Sequence, residues 1–330
     1  MRRSSWKFIN LIYFMCFLIG CVFLKPVFAN ADFPEKPVRI VVPFLAGGSA
    51  DALIRIVSDE LGSRLGQPVV VENKAGAGGI LGADYVSRAK PDGYTLLFTP
   101  PGPLTTNDFL IKELPYNARE AFEAITLVTV LPNVLLTNVE RAGVTLESLV
   151  KEGKANPEKF TFGSQGVGTT GHLTGVLFNK MTGANLRHIP YKGFPPALVD
   201  VIGGRVDFMF VDTGNALPQI RSDKLTAVAI ASEHRVPSLP KVPTFRELGY
   251  SELVSYTWFA LMAPTGTPAD VRLLIRDKLA EVLALNKIKE QLQLLGAQPI
   301  GNSPEELDRF INEEYERWGA LIKEIGLSVK

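Results

Sequence analysis

Cysteine is nearly absent: 330 residues hold two, Cys16 and Cys21, and both fall in the first 31 positions. Without those positions the chain has neither a disulfide framework nor a thiol cluster, so it folds by its core alone. Histidine is also scarce. His172, His188 and His234 lack metal-ligand spacing, and the chain has no HExxH helix and no GxSxG elbow. Charge of one sign is missing too. The net charge is +1, and removing residues 1 to 31, with four basic side chains and no acidic one, leaves −3. A weakly acidic chain does not carry the basic footprint of a nucleic-acid binder.

One long apolar run exists, Phe8 to Leu24, preceded by Arg2, Arg3 and Lys7. It is short for a membrane span and Lys25-Pro26 interrupts it, while Ala29-Asn30-Ala31 supplies small residues for cleavage. Residues 1 to 31 are therefore expected to be a secretory signal peptide, with cleavage before Asp32 and a periplasmic location. Leu18-Ile19-Gly20-Cys21 also resembles a lipoprotein box, a minor alternative because the residues after Cys21 remain apolar. The remaining 299 of 330 residues suffice for two domains.

The most informative stretch is VRIVVPFLAGGSADAL, Val38 to Leu53. The β-branched run predicts a buried strand, Gly47 and Gly48 a turn, and Ser49 a cap for a helix through Leu53, Ile54 and Val57. A helix start reached through glycines presents unpaired N–H groups and the positive dipole end, so it can hold phosphate or carboxylate without Lys or Arg. A tight turn whose glycines serve only the backbone fits these residues equally well.

The pattern then predicts a helix over 50–65, a strand at 68–72, a helix over 79–89 and a strand at 94–98. This βαβαβ series implies a parallel sheet. Gly76, Gly78 and Gly79 form a second glycine loop, and Thr99 opens a proline-rich turn beyond the third strand, where ligands of such sheets sit. Residues 125 to 138 read as two extended runs interrupted by Pro132, suited to carry the chain between domains. A second alternating set follows: helices over 146–155, 171–181 and 196–202, and strands at 160–163, 186–189 and 208–211. A strand at 258–264 and helices over 269–285 and 304–325 close the chain.

Phe160 to Gly171, FTFGSQGVGTTG, places Gly166, Gly168 and Gly171 in a GxGxxG spacing after a strand. The dinucleotide fingerprint also needs an acid at the end of the next strand, where Arg187-His188-Ile189-Pro190 offers none. A nucleotide-dependent oxidoreductase built on Gly166 to Gly171 therefore stands as the disfavoured alternative. What this loop keeps is a second anion-receptive helix start, lined by Ser164, Thr169 and Thr170. Asp212, at the end of an apolar strand, reads either as a turn former or as an acceptor facing a cleft.

EKPVRIVVPFLAGGSAD, VVVENKAGAGGILGADYV, PDGYTLL, GSQGVGTTGHL, YKGFPPALVDVIGGRVDFMF and WFALMAPTGTP, in that order, resemble the extracytoplasmic receptors of tripartite tricarboxylate transporters, the Bug-type receptors. The likeness runs from about Phe33 to the C-terminus. It implies an α/β fold, a type II periplasmic binding protein with two α/β domains and a hinged ligand cleft. It further implies a binding protein rather than an enzyme, without cofactor or metal, which captures a small carboxylate and delivers it to membrane permease subunits. The ligand-binding residues it implies are Phe44, Ala46, Gly47, Gly48, Ser49 and Asp51 in the first loop, Thr99, then Ser164, Gly166, Gly168, Thr169, Thr170 and Asp212. The expected domains are 32–131 with 256–330, and 132–255. Two departures fall on the expected pocket: Pro100, Pro101 and Pro103, which lack N–H donors, and Thr213-Gly214 after the aspartate.

Overall fold

The β-branched run Val38–Val42 forms β1 at the centre of a parallel trio, and four of its five side chains are fully shielded from water. The computed structural model describes residues 33–327. The expected signal peptide, its cleavage site, Cys16 and Cys21 lie outside the described residues. After β1 come α1 (Ser49–Leu65), β2 (Val69–Asn73), α2 (Ile80–Ser87) and β3 (Thr95–Thr99). β1 pairs in parallel with β2 on one side and β3 on the other. Leu53, Ile54, Val57 and Leu61 line the buried face of α1, each stabilising the fold by roughly 1.5–3 kcal/mol through burial. Gly66, in the left-handed region at φ 72°, ends the helix.

A one-turn helix, α3 (Asn107–Leu110), leads to β4, which differs from the sequence expectation. Instead of two runs broken at Pro132, one 17-residue strand spans Phe122–Asn138. Pro132 is tolerated because the partner strands change there. Up to Pro132, β4 pairs with a later strand, and from Asn133 onward it pairs with others. The missing N–H falls at the changeover, where no continuous ladder needs it.

The second set comprises α4 (Leu146–Ala155), β5 (Thr161–Ser164), α5 (Thr170–Thr182), β6 (Arg187–Pro190), α6 (Phe194–Ile202), β7 (Phe208–Asp212), α7 (Thr213–Arg221) and β8 (Leu225–Ile230). β5 pairs in parallel with β6 and β7, while β7 and β8 run antiparallel to the second half of β4. α7 and β8 were not expected from the sequence: Gly214, Asn215 and Pro218 weaken the helical pattern of 213–221. The chain closes with β9 (Tyr256–Pro264), α8 (Ala269–Leu283), α9 (Asn286–Leu294), β10 (Gln298–Pro299) and α10 (Pro304–Glu324). β9 inserts antiparallel between β3 and the first half of β4, giving the path β2-β1-β3-β9-β4-β7-β5-β6. Two sheet halves thus share β4, and each has its own apolar core. One gathers Leu97, Trp258 and Leu307, the other Phe162, Phe178 and Phe210. They are called here the first and second lobes.

Two glycines set how closely α5 lies on the second sheet. A Cβ at Gly171 would stand 2.2 Å from the carbonyl oxygen of Phe210, and one at Gly175 would stand 2.2 Å from the ring of Phe162. Gly171, which completes the GxGxxG spacing, therefore serves helix-to-strand packing. No helix among the described residues is long and apolar enough to cross a membrane.

Candidate functional site

The starts of α1 and α5 face one cavity between the lobes. It contains about 600 Å³ of space free of protein atoms and partly open to solvent. Gly48, Ser49 and Ala50 come from the first lobe, and Thr169 and Thr170 from the second. Phe44, Leu45, Pro100 and Phe259 add apolar wall on one side, with Phe194 and Pro195 on the other. None of the lining residues is Lys, Arg or His. The residues before both helices, Gly48 and Thr169, have extended backbones and place no side chain on the first-turn amides. These N–H groups have no partner within their own helix; apart from the Ser49 N–H, which the Asn215 side chain takes, they leave both ends receptive to an anion.

Asp212 lies between the lobes and is 2% exposed. As the cap of α7, its Oδ1 accepts from the Asn215 N–H at 3.1 Å. Its Oδ2 accepts from Ser49 Oγ at 3.1 Å and from Asn215 Nδ2 at 2.8 Å. Asn215 also donates to Ser49 Oγ at 3.0 Å, and its Oδ1 accepts from the Ser49 N–H at 3.0 Å. The amide at the α1 start is thus capped across the cleft by Asn215. Ser49, expected as the cap of its own helix, is instead its first residue, with its hydroxyl directed to Asp212. The approach is close: a Cβ at Gly214 would stand 2.9 Å from that of Ser49, so the unusual glycine lets the two helix starts meet. Burial pushes the Asp212 carboxyl above the usual carboxylate range, against the bonds from Asn215 and Ser49, which pull it down.

Of the residues expected in the site, Phe44, Gly48, Ser49, Thr169, Thr170 and Asp212 line the cavity. Gly166 lines an adjoining chamber with Gly76 to Ile80, Asn107 and Lys192, and the two spaces share Phe44, Leu45, Gly78, Gln165 and Gly193. The others are not on the cavity wall. Ala46 and Gly47 are exposed, and the Gly47 N–H donates to Asp51 Oδ2, which holds the turn. Thr99 is buried and donates to the Pro100 carbonyl. Ser164, fully buried, donates to the Gly166 carbonyl, and its Oγ lies 2.7 Å from His188 Nε2. Gly168 packs under Asn107, and its carbonyl accepts from Thr106 Oγ1 at 2.7 Å, a further bond between lobes.

Sequence reasoning missed Asn215, Gln165, Phe194, Thr257 and Phe259. Asn215 had a legible signal, an Asp-x-x-Asn pair at a helix start. Thr257 and Phe259 carried none, because the strand they share reads only as core. Behind the second loop, His172 and His188 stack with ring centroids 3.9 Å apart, and the Gly168 N–H donates to His172 Nδ1 at 3.1 Å. Desolvation, with the neighbouring ring, lowers the pKa of His172 to about 3, and desolvation lowers that of His188 to about 4. Both are neutral packing residues at pH 7. Among the described residues no group of three or more His, Cys, Asp or Glu is placed to hold a metal.

Residues 53–327 match the model of the tripartite tricarboxylate transporter family receptor. Protein BugT of Bordetella pertussis is 38% identical over 306 residues, 92% of this chain and 94% of its own. The solved periplasmic binding protein BugD is 37% identical with a TM-score of 0.84, over 90% of this chain and 100% of its own. MatC from Rhodopseudomonas palustris, solved with bound malate, is 31% identical with a TM-score of 0.82, over 88% and 100%. These are binding receptors, which removes the oxidoreductase alternative and agrees with the absence of an acid after β6. Two α/β lobes around a ligand cleft are the architecture of a type II periplasmic binding protein, and this chain belongs to the tripartite tricarboxylate transporter receptor family.

Proposed function

We propose that this receptor holds the carboxylate of a small organic acid between the starts of α1 and α5, closes on it, and delivers it to membrane permease subunits. The observation that carries the reading is the cavity itself: two helix starts whose own N-cap residues place no side chain on the first-turn amides converge where no cationic side chain lines the wall, and at α1 Asn215 takes the Ser49 N–H and leaves the next amides of the turn. An anion there is stabilised by N–H groups and helix dipoles. The malate in MatC supports the choice of ligand class. Closure is favoured because a ligand touching both lobes binds the closed form better than the open one.

The partner change within β4 at Pro132 and the start of β9 at Tyr256 support a division of the chain near those residues. The lobes are then 32–131 with 256–330, and 132–255. The family and the sequence of residues 1–31 support a periplasmic protein whose first mature residue is Asp32. Terminal sequencing checks this, and a lipid-blocked Cys21 as first residue would overturn it.

Binding is tested with protein freed of endogenous ligand by unfolding and refolding, then melted with mono-, di- and tricarboxylates and amino acids. A ligand at a hundredfold excess over Kd adds about 2.7 kcal/mol, which raises the midpoint by several degrees. One or a few acids are expected to do so. No shift from any of them would count against the receptor reading.

A further inference from the structure

Thr257 on β9 lines the cavity, two residues from Phe259 and therefore on the same face of the strand. Its hydroxyl begins a buried relay that leaves the cleft. Thr257 Oγ1 donates to Asn133 Oδ1 at 3.1 Å, and Asn133 Nδ2 donates to Ser255 Oγ at 3.0 Å. Ser255 Oγ lies 2.7 Å from Thr174 Oγ1, which donates to the Thr170 carbonyl at 2.7 Å. Asn133, Ser255 and Thr174 are fully buried, so every member must find its partner within the protein.

Counting protons fixes the direction of this relay. Thr174 has one hydroxyl hydrogen, directed to the Thr170 carbonyl, so Ser255 must donate to Thr174. Ser255 then has no hydrogen left for Asn133, and the Asn133 amide must present its N–H to Ser255 and its oxygen to Thr257. Turning that amide over would leave three oxygen–oxygen contacts, Asn133–Ser255, Ser255–Thr174 and Thr174–Thr170, with two hydroxyl protons between them, so one would be unbonded. The Thr257 hydrogen is therefore held by Asn133. No donor among the described residues reaches Thr257 Oγ1, so this oxygen, on a residue that lines the cavity, keeps lone pairs and no free hydrogen. The neighbouring polar group does not compensate: the Ser49 hydrogen goes to Asp212, and both Asn215 amide hydrogens have protein acceptors.

We infer that Thr257 selects an acid bearing a hydrogen-bond donor, a hydroxyl or an ammonium, over the same acid without one. The inference rests on the carboxylate-receptor reading and adds to it the class of acid. A ligand lacking the donor leaves the oxygen of Thr257 desolvated and unpaired, whereas a hydroxy or amino acid satisfies it.

The test is calorimetry on matched pairs that share their carboxylates: malate, aspartate and succinate, lactate against propionate, and mandelate against phenylacetate. In whichever series binds, the wild-type protein should prefer a donor-bearing member by about tenfold or more. Thr257→Val should weaken that member about tenfold and leave its deoxy partner within about twofold, while Thr257→Ser keeps the preference. Equal binding of the pair by the wild-type protein overturns the inference, and so does a Val variant that weakens both members alike. Absence of binding by every acid removes the receptor reading, and this one with it.

Discussion

At the residue scale, the proposed carboxylate site turns on Gly48, which lines the cavity without a side chain. Its φ of −89° is open to any residue, and a Cβ there would meet nothing nearer than Asn215 Oδ1 and the Leu45 carbonyl at 3.8 Å. The protein itself therefore tolerates a side chain, which would occupy part of the cavity proposed to hold the carboxylate. Gly48→Val is expected to leave the fold intact and to weaken carboxylate binding about tenfold to ten-thousandfold, the effect of one or two lost charge-assisted hydrogen bonds. Lys192 is exposed at the adjoining chamber, where solvent screens it. Lys192→Ala should change affinity little. Calorimetry on both variants decides between backbone and side-chain neutralisation, and the opposite ranking would show that a lysine holds the anion. Buried polar residues elsewhere act structurally. Glu314 Oε2 accepts from the indoles of Trp258 and Trp318, both at 3.0 Å, and so fastens α10 to β9.

At the scale of elements, β5, the loop after it and α5 are supported by the histidine stack. Folded His172 and His188 resist protonation to about pH 3 and 4, whereas unfolded imidazoles take up protons below about pH 6.5. The unfolded chain binds more protons in that window. Their contribution to stability is therefore complete above pH 6.5 and is lost as the pH falls toward 4 and then 3, by up to about 1.4 kcal/mol per pH unit for each proton. Urea unfolding between pH 4 and 7 should show this decline. His188→Gln keeps a polar partner for Ser164 and removes one titrating ring, so its decline should be shallower. Parallel curves for the two proteins would exclude His188 as a source. In the sequence, His172 and His188 read as isolated and unremarkable, because their stacking depends on α5 and β6 meeting side by side on β5.

At the scale of the whole molecule, the chain passes between lobes within β4 and again before β9, and α10 touches both. Trp318, Leu321 and Ile322 of α10 pack with Leu173 of the second lobe, and Lys180 pairs with Glu324. Any opening of the cleft must accommodate that contact. The sequence by itself determined the alternating strands and helices, because β-branched runs and helical spacing are local patterns that the sheets then bury. It also determined where both glycine-led helices start, because a strand, a glycine turn and a helix start need only a few consecutive residues, whereas the Asn215 cap on α1 came from the tertiary fold. Only the tertiary structure decided that β4 runs unbroken through Pro132, since its tolerance depends on which strands lie beside it. The same holds for α7 and β8, whose weak local pattern is stabilised by packing on β4. It holds above all for the cleft. Asn215 reaches Ser49 across 166 positions and Thr257 reaches Asn133 across 124, and such partners are set by which helix starts and strands the tertiary fold lays side by side.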